Sequence, residues 1–169
     1  MAYLLDSNVF IQAKNLHYGF DFCPAFWDWI EQQNRNGTVF SVEKVGTELA
    51  AGADDLAEWA DVRGAAFFVA PDQELLVALA QVSSWVDNQG CEPAAVGTFF
   101  QVADYYLTAH AMAHSHTVVT HEIPSESIRK VKIPNVCIGL GVRCVTPFEM
   151  LRSEQARFVL GKAGSPAGK

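Results

Sequence analysis

Tyr3-Leu4-Leu5-Asp6-Ser7-Asn8-Val9-Phe10 decides how this chain is read. Three apolar residues are too short a run for a helix and suit a buried strand. The Asp-Ser-Asn that stops them is a helix-capping signal, and Val9, Phe10 and Ala13 then recur at helical spacing. The chain therefore passes from a buried strand directly into a helix, with a carboxylate at the junction.

The same alternation continues outward. After a loop over 15–23 rich in aromatic and polar residues, Pro24 opens a helix that Asn36-Gly37 ends. Thr38–Ser41 reads as a second strand, followed by helices through Val45–Gly52 and about 54–62. Ala66–Val69 is strand-like, helical patterns cover about 72–88 and 94–113, and Thr117–Thr120 is an apolar strand. Arg143–Thr146 is a weaker strand, and Pro147 starts a terminal helix. Short apolar strands alternating with helices predict an α/β fold: a three-layer α/β/α sandwich with a central parallel sheet covered on both faces. Residues 1–160 are expected to form one domain, and the Gly/Ser/Pro/Lys stretch 161–169 a disordered tail.

Composition agrees with a packed domain. Of 169 residues, 50% are hydrophobic and 18% charged, which excludes disorder of the low-hydrophobicity, high-charge kind. The formal net charge of −7 argues on its face against a polyanion binder, but its distribution is uneven. Residues 1–128 hold 17 acids and 4 bases, whereas residues 129–169 hold 2 acids and 8 bases. No basic segment precedes a long apolar run at the N-terminus, and no apolar stretch approaches the roughly 18 residues of a membrane span. Cys23, Cys91, Cys137 and Cys144 are widely spaced, without a C-x-x-C pair, and read as free thiols. A cytoplasmic location without a membrane is the expectation.

In open α/β sheets ligands collect beyond the C-terminal ends of the strands. Asp6 lies there after the first strand, and Glu122 lies two residues after Thr117–Thr120. Within the predicted helix 94–113, Phe100, Asp104, Leu107 and Ala111 share one face, apolar except for the carboxylate. A buried carboxylate needs a cation, a hydrogen-bond network or the edge of a cleft. A fourth acid comes from Glu43 or Glu48, which a helix would set about 140° apart, so only one faces the crevice. Glu48 is favoured, with Glu43 the alternative. Converging carboxylates repel one another unless a cation neutralises them, and oxygen-only ligands select hard ions, Mg²⁺ or Mn²⁺. Such ions support phosphodiester hydrolysis. Asp6, Glu48, Asp104 and Glu122 are thus the candidate catalytic and metal-binding residues. Ser7, Asn8 and Thr120 are candidates to hold metal-bound waters or phosphate oxygens.

Arg129, Lys130 and Lys132 follow Glu122 closely and can form a phosphate-binding rim, with His121 a further substrate contact. His110 and His114 are one helical turn apart and could bind zinc. Without an H-E-x-x-H pattern, they and His116 read instead as a solvated, mildly basic helix end. Tyr18, Phe20 and Phe22 alternate in the 15–23 loop and suit either base stacking or packing as a lid.

These segments, in order, resemble those of the PIN domain family. Leu4–Phe10 resembles its opening strand and Asp-(Ser/Thr)-Asn turn. Ser41–Leu49 resembles its second acidic segment, Asp104–Ala111 its third, and Val118–Glu122 its fourth. Tyr18–Pro24, Phe26–Trp29 and Lys132–Cys137 extend the resemblance to small bacterial proteins related to VapC-type toxins. The resemblance implies a Mg²⁺- or Mn²⁺-dependent endoribonuclease, the toxin of a toxin–antitoxin pair, with RNA as substrate, an antitoxin protein as partner and a homodimer as assembly. The sequence departs from the family pattern at the fourth acid, Glu122 in place of Asp, preceded by His121. The longer arm shifts or loosens one metal position. Two other readings stand beside it: a PIN-fold binding module without turnover, and a receiver-like phosphoryl-acceptor domain. The latter expects paired Asp residues after the first strand, where Asp6-Ser7-Asn8 offers one.

Overall fold

A computed structural model describes residues 1–159. The stretch 161–169 expected as a tail lies outside the described residues. Among the described residues, five strands form one parallel sheet in the order β3-β2-β1-β4-β5, where β1 is Tyr3–Leu5, β2 Val39–Val42, β3 Phe68–Val69, β4 Thr117–Val119 and β5 Cys144–Val145. The opening tripeptide is central: Tyr3 aligns with Val39 on one side and Thr117 on the other, and Leu4 with Phe40 and Val118. A central parallel strand has helices on both faces, so an unbroken apolar run is what it needs. Leu4, Leu5, Val118 and Val119 are all fully buried.

The helices are α1 (Ser7–Gln12), α2 (Pro24–Arg35), α3 (Glu43–Ala50), α4 (Asp55–Phe67), α5 (Gln73–Asp87), α6 (Pro93–Gln101), α7 (Ala103–Ala113), α8 (Ile133–Leu140) and α9 (Pro147–Ser153). With the sheet they make the expected α/β/α layers. Local chemistry sets many of the ends. Asp54 and Asp72 cap α4 and α5 by accepting the backbone N–H of Ala57 and Leu75, both at 3.0 Å. Thr146 and Glu149 form a reciprocal capping box on α9. Gly141, at φ 69°, ends α8 in the left-handed region that glycine tolerates best.

Three expectations are corrected. The helix expected over 94–113 is two helices, broken at Val102, whose backbone is extended at φ −98°, ψ 171°. No Pro or Gly marks the break; a tertiary contact made by Glu48 stabilises it, as shown below. The stretch 15–23 begins not as loop but as one wide helical turn, Ala13–His17, continuing α1. Helix α8 lies outside the predicted elements, because its stretch Ile133–Leu140 is too uniformly apolar to show a period.

The aromatic loop is resolved in favour of packing. Tyr18 stacks on Phe26 with ring centroids 4.3 Å apart, and Phe20 on Trp27 at 4.1 Å. Of the three, Phe22 alone is exposed. All four cysteines are free.

Among the described residues the main core runs through the sheet to helices on both faces, and a second cluster lies among the helices alone. The larger holds Phe10, Phe26, Trp27, Trp59 and Phe67 under α1, α2 and α4. The smaller joins α5, α6, α7 and α8. At their edge the indole of Trp85 lies over Gly139: a β-carbon there would meet Trp85 Cζ2 at 2.0 Å. Gly139→Ala is therefore expected to displace Trp85 and destabilise the protein by about 1–3 kcal/mol. The checks are a lower urea midpoint at unchanged m-value and a shifted tryptophan emission.

Candidate functional site

The strand order reverses between β1 and β4, and the crevice beyond their C-terminal ends is where an open α/β sheet places its ligands. Asp6 leaves β1 at that point and is 3% exposed. Thr120 follows β4 and acts as a hub. Its hydroxyl donates to Asp6 Oδ2 at 2.8 Å and accepts from Asn8 Nδ2 and the Glu122 backbone N–H, both at 3.0 Å. Asn8 Oδ1 also accepts the backbone N–H of His121 at 3.1 Å, and Ser7 Oγ donates to Asp6 Oδ1 at 3.3 Å. Asn8 and Thr120 thus lock the β1 turn to the end of β4 and fix the Asp6 carboxylate. In this arrangement their polar groups position protein atoms.

Asp104 reaches the crevice from the first turn of α7, not from mid-helix as expected. It is there because Glu48, on α3, accepts the backbone N–H of Ala103 at 2.8 Å and so caps α7 from outside its own segment. A capping acceptor at that point lets the chain break at Val102 without leaving that donor unpaired. Glu48 joins Asp104 on the wall of a 520 Å³ cavity that also includes Glu92, Arg129 and Lys130. Glu43 is exposed and opens α3 on other surfaces, near Phe68 on one side and Tyr106 on the other. Of the two acids in this segment, Glu48 is the one the fold brings to Asp104.

The acids sense one another. Burial, then the charges of Asp6 and Glu122, raises the Asp104 pKa to about 7, with Glu48 adding to the repulsion. Burial raises Asp6 to about 6, opposed by the hydrogen bond from Thr120. Glu122 differs. Burial works against its charge too, but hydrogen bonds from Lys130, Lys132 and the Ile133 backbone N–H outweigh it and hold its carboxyl below the usual range. Its Oε1 accepts from Lys130 Nζ at 2.7 Å and Lys132 Nζ at 2.9 Å, and its Oε2 from the Ile133 N–H at 3.0 Å. The fourth acid is therefore neutralised from within the chain, whereas Asp6 and Asp104 lack a cation partner among the described residues.

The donor set at Asp6 and Asp104 fits a hard divalent cation: one buried and one half-buried oxygen-only group whose charge desolvation and repulsion disfavour. Glu48 has one oxygen committed to Ala103, and Glu122 has both committed. The basic rim is present as expected, with Lys130 and Lys132 drawn inward onto Glu122 and Arg129 paired at 3.6 Å with Glu92 near the surface. His121 packs beside the touching rings of His17 and Phe148, at 5.7 Å from each. Glu122→Gln would remove the charge that holds the two lysines. It is expected to strengthen binding of a single-stranded oligonucleotide and to steepen its log–log salt dependence by about 1, measured by fluorescence anisotropy.

The solvated reading of the helix-end histidines is corrected: His110 is buried at 6% exposure, with burial lowering its pKa to about 4. Sequence spacing put His110 beside His114 but could not bring Asp72 to them. Among the described residues, Asp72, His110 and His114 are a group whose ligand atoms all lie within 4.8 Å of one another. No helix of the described residues is long and apolar enough to cross a membrane.

Known structures share this architecture. VapBC2 from Rickettsia felis, solved bound to a DNA fragment from its promoter, superposes with a TM-score of 0.53 at 14% identity, covering 86% of this chain and 98% of that one. FitAcB from Neisseria gonorrhoeae superposes with a TM-score of 0.52 at 20% identity, covering 86% and 98%. At these identities the likeness concerns the fold. No curated protein matches the chain in sequence. The family model described as Domain of unknown function (DUF4411) matches residues 3–158, so the chain belongs to that family and carries it on a VapC-like PIN fold.

Proposed function

We propose that this protein is a divalent-metal-dependent endoribonuclease, the toxin of a toxin–antitoxin pair. The observation that carries the reading is the meeting of Asp6 and Asp104. A buried carboxylate, Asp6, and a half-buried one, Asp104, come from separate elements, both with pKa values raised by burial and by neighbouring charge, and face the switch point of the sheet beside a cleft edged by Arg129 and Lys130. Perturbed acids at such a crevice mark functional sites more often than structural ones.

Asp6 and Asp104 would hold Mg²⁺ or Mn²⁺, with Glu48 and Glu122 at its margin; such an ion, when bound, supplies a more acidic water and stabilises charge on a phosphodiester. The chain's own residues do the rest. Thr120 and Ser7 orient the Asp6 carboxylate, and Glu48 fixes the start of α7 so that Asp104 points into the crevice. Lys130, Lys132 and Arg129 would meet the phosphates, the lysines exchanging Glu122 for the nucleic-acid backbone. His121 would lie beside the substrate.

An antitoxin partner fits the same surface, since an acidic or carboxylate-bearing segment would satisfy the lysines as RNA does. The Rickettsia felis relative was solved on promoter DNA, so a DNA-binding antitoxin is the proposed partner. A homodimer in the cytoplasm completes the reading. A PIN-fold binding module without turnover is the second reading, favoured by the saturation of Glu122.

The deciding experiment incubates the purified protein with single-stranded RNA and Mg²⁺ or Mn²⁺, with EDTA as control. Cleavage in metal alone is expected. Metal binding by calorimetry without any cleavage would favour the binding module, and neither binding nor cleavage would end both the site assignment and the nuclease reading.

A further inference from the structure

Away from the crevice, where α7 ends and α5 begins, the chain gathers a second set of donors. His110 lies in the last turn of α7 and His114 is its C-cap, one turn on, and Asp72 caps α5, which packs along α7. One ligand atom from each of the three lies within 4.8 Å of the others. Asp72 divides its work: Oδ1 accepts the Leu75 N–H, leaving Oδ2 at 2.8 Å from His114 Nε2.

Two ring nitrogens here have no hydrogen-bond partner. His110 Nδ1 is buried and unpaired, and His114 Nε2 is buried and faces Asp72 outside hydrogen-bonding geometry. Unpaired buried nitrogens are rare in native proteins and call for an unseen partner. Behind His114, Glu74 Oε2 lies 3.3 Å from Nδ1. A carboxylate on the outer nitrogen is the arrangement that orients a metal-bound imidazole. His116 is already used: its Nδ1 accepts the Ala2 backbone N–H at 3.3 Å. Burial also keeps His110 neutral at ordinary pH, with its lone pair free.

We propose that Asp72, His110 and His114 form a second metal site, of the zinc class, that staples the start of α5 to the end of α7. Two imidazoles and one carboxylate, with a fourth position for water, are donors that take Zn²⁺ in preference to Mg²⁺. Tetrahedral Zn²⁺ sets its donor atoms about 3.3 Å apart, so donors already gathered within 4.8 Å close on it by small side-chain rotations. At 1.5 Å rise per residue, His110 and His114 stand about 9 and 15 Å along α7 from Asp104. The site is separate from the oxygen-only pair and does not depend on the nuclease reading.

The test titrates the full-length, metal-free protein with Co²⁺ and then Zn²⁺, reading visible absorption, calorimetry and melting temperature. One tetrahedral Co²⁺ per chain is expected, seen as intense visible bands without a thiolate charge-transfer band and distinct from any Co²⁺ held by the oxygen-only acids, displaced by Zn²⁺, which raises the melting temperature. Asp72→Asn keeps the helix cap, because asparagine caps as well as aspartate. Asp72→Asn and His114→Gln should each weaken Zn²⁺ binding by roughly 10-fold or more with the circular dichroism spectrum intact. Asp104→Asn should leave it unchanged. The proposal is overturned by unchanged affinity in both of the first two variants, by loss of binding in Asp104→Asn, by a thiolate band that points to the cysteines, or by no saturable binding.

Discussion

Asp104→Asn and Asp6→Asn are each expected to lower metal-dependent RNA cleavage by roughly 100-fold or more while making the metal-free protein more stable at pH 8. The two effects have one origin. Both carboxyls have folded-state pKa values above the ordinary 3.8, at about 7 for Asp104 and about 6 for Asp6, because burial and neighbouring acids penalise the charged form. A raised acid pKa means that the folded state binds the proton more tightly than the unfolded state. Its contribution to stability is complete below about pH 3.8 and is lost as the pH rises through about 6 and 7. The metal-free protein should therefore melt at lower temperature at pH 8 than at pH 5. Asp104→Asn should flatten that dependence and gain on the order of 2 kcal/mol at pH 8, since each pKa unit is worth about 1.4 kcal/mol and part of the group is solvated. Losing a negative charge at the start of α7 works the other way, by about 0.3–1 kcal/mol, and does not reverse the sign. Mn²⁺ should raise the melting temperature of the native protein at pH 8 and not that of either variant. Melting curves at three pH values, with and without Mn²⁺, check this. An unchanged Mn²⁺ response in both variants would remove Asp6 and Asp104 from the metal site.

Phe10→Ala is expected to have the largest effect on stability. Phe10 is 1% exposed, and its ring lies 5.6 Å from Trp59, 5.9 Å from Phe67 and 6.2 Å from Phe68. These neighbours belong to the far end of the sheet and to α4, so they cannot all collapse into the space left by one ring. Such truncations cost about 3–5 kcal/mol, which for a chain of this size lowers the melting temperature by roughly 6–20 °C. Phe10 also stands one helical turn beyond Asp6, so the same cavity loosens the turn that aims the carboxylate. Phe22→Ala is the control: Phe22 is 66% exposed, and its truncation should stay within about 0.5 kcal/mol. Urea denaturation of both variants separates core loss from a general effect of removing an aromatic ring.

Much of the fold was legible in short segments. Tyr3–Leu5 and Thr117–Val119 had to be buried strands, because such short runs with apolar centres between turn signals have few other uses in a chain with so many helices. Asp6 could be placed at a strand end for the same reason. The proline starts of α2 at Pro24 and α9 at Pro147 are local chemistry, and local chemistry is written in sequence order.

What the sequence determined by itself was the alternation of short strands with helices, the parallel sheet and the acids that follow strand ends, Asp6 and Glu122, since each follows from periodicity or from a residue's distance to a strand end. The tertiary structure decided the rest. It broke the helix at Val102 because Glu48, 55 residues before Ala103, supplied the cap. It turned Glu122 from an open acid into the anchor of Lys130 and Lys132. It buried His110 beside Asp72, residues separated by the whole of α5 and α6. Spacing along a chain reports which side chains share one element, but hydrogen bonds and charges act through space, so a partner brought in by the crossing of two elements leaves no period to read.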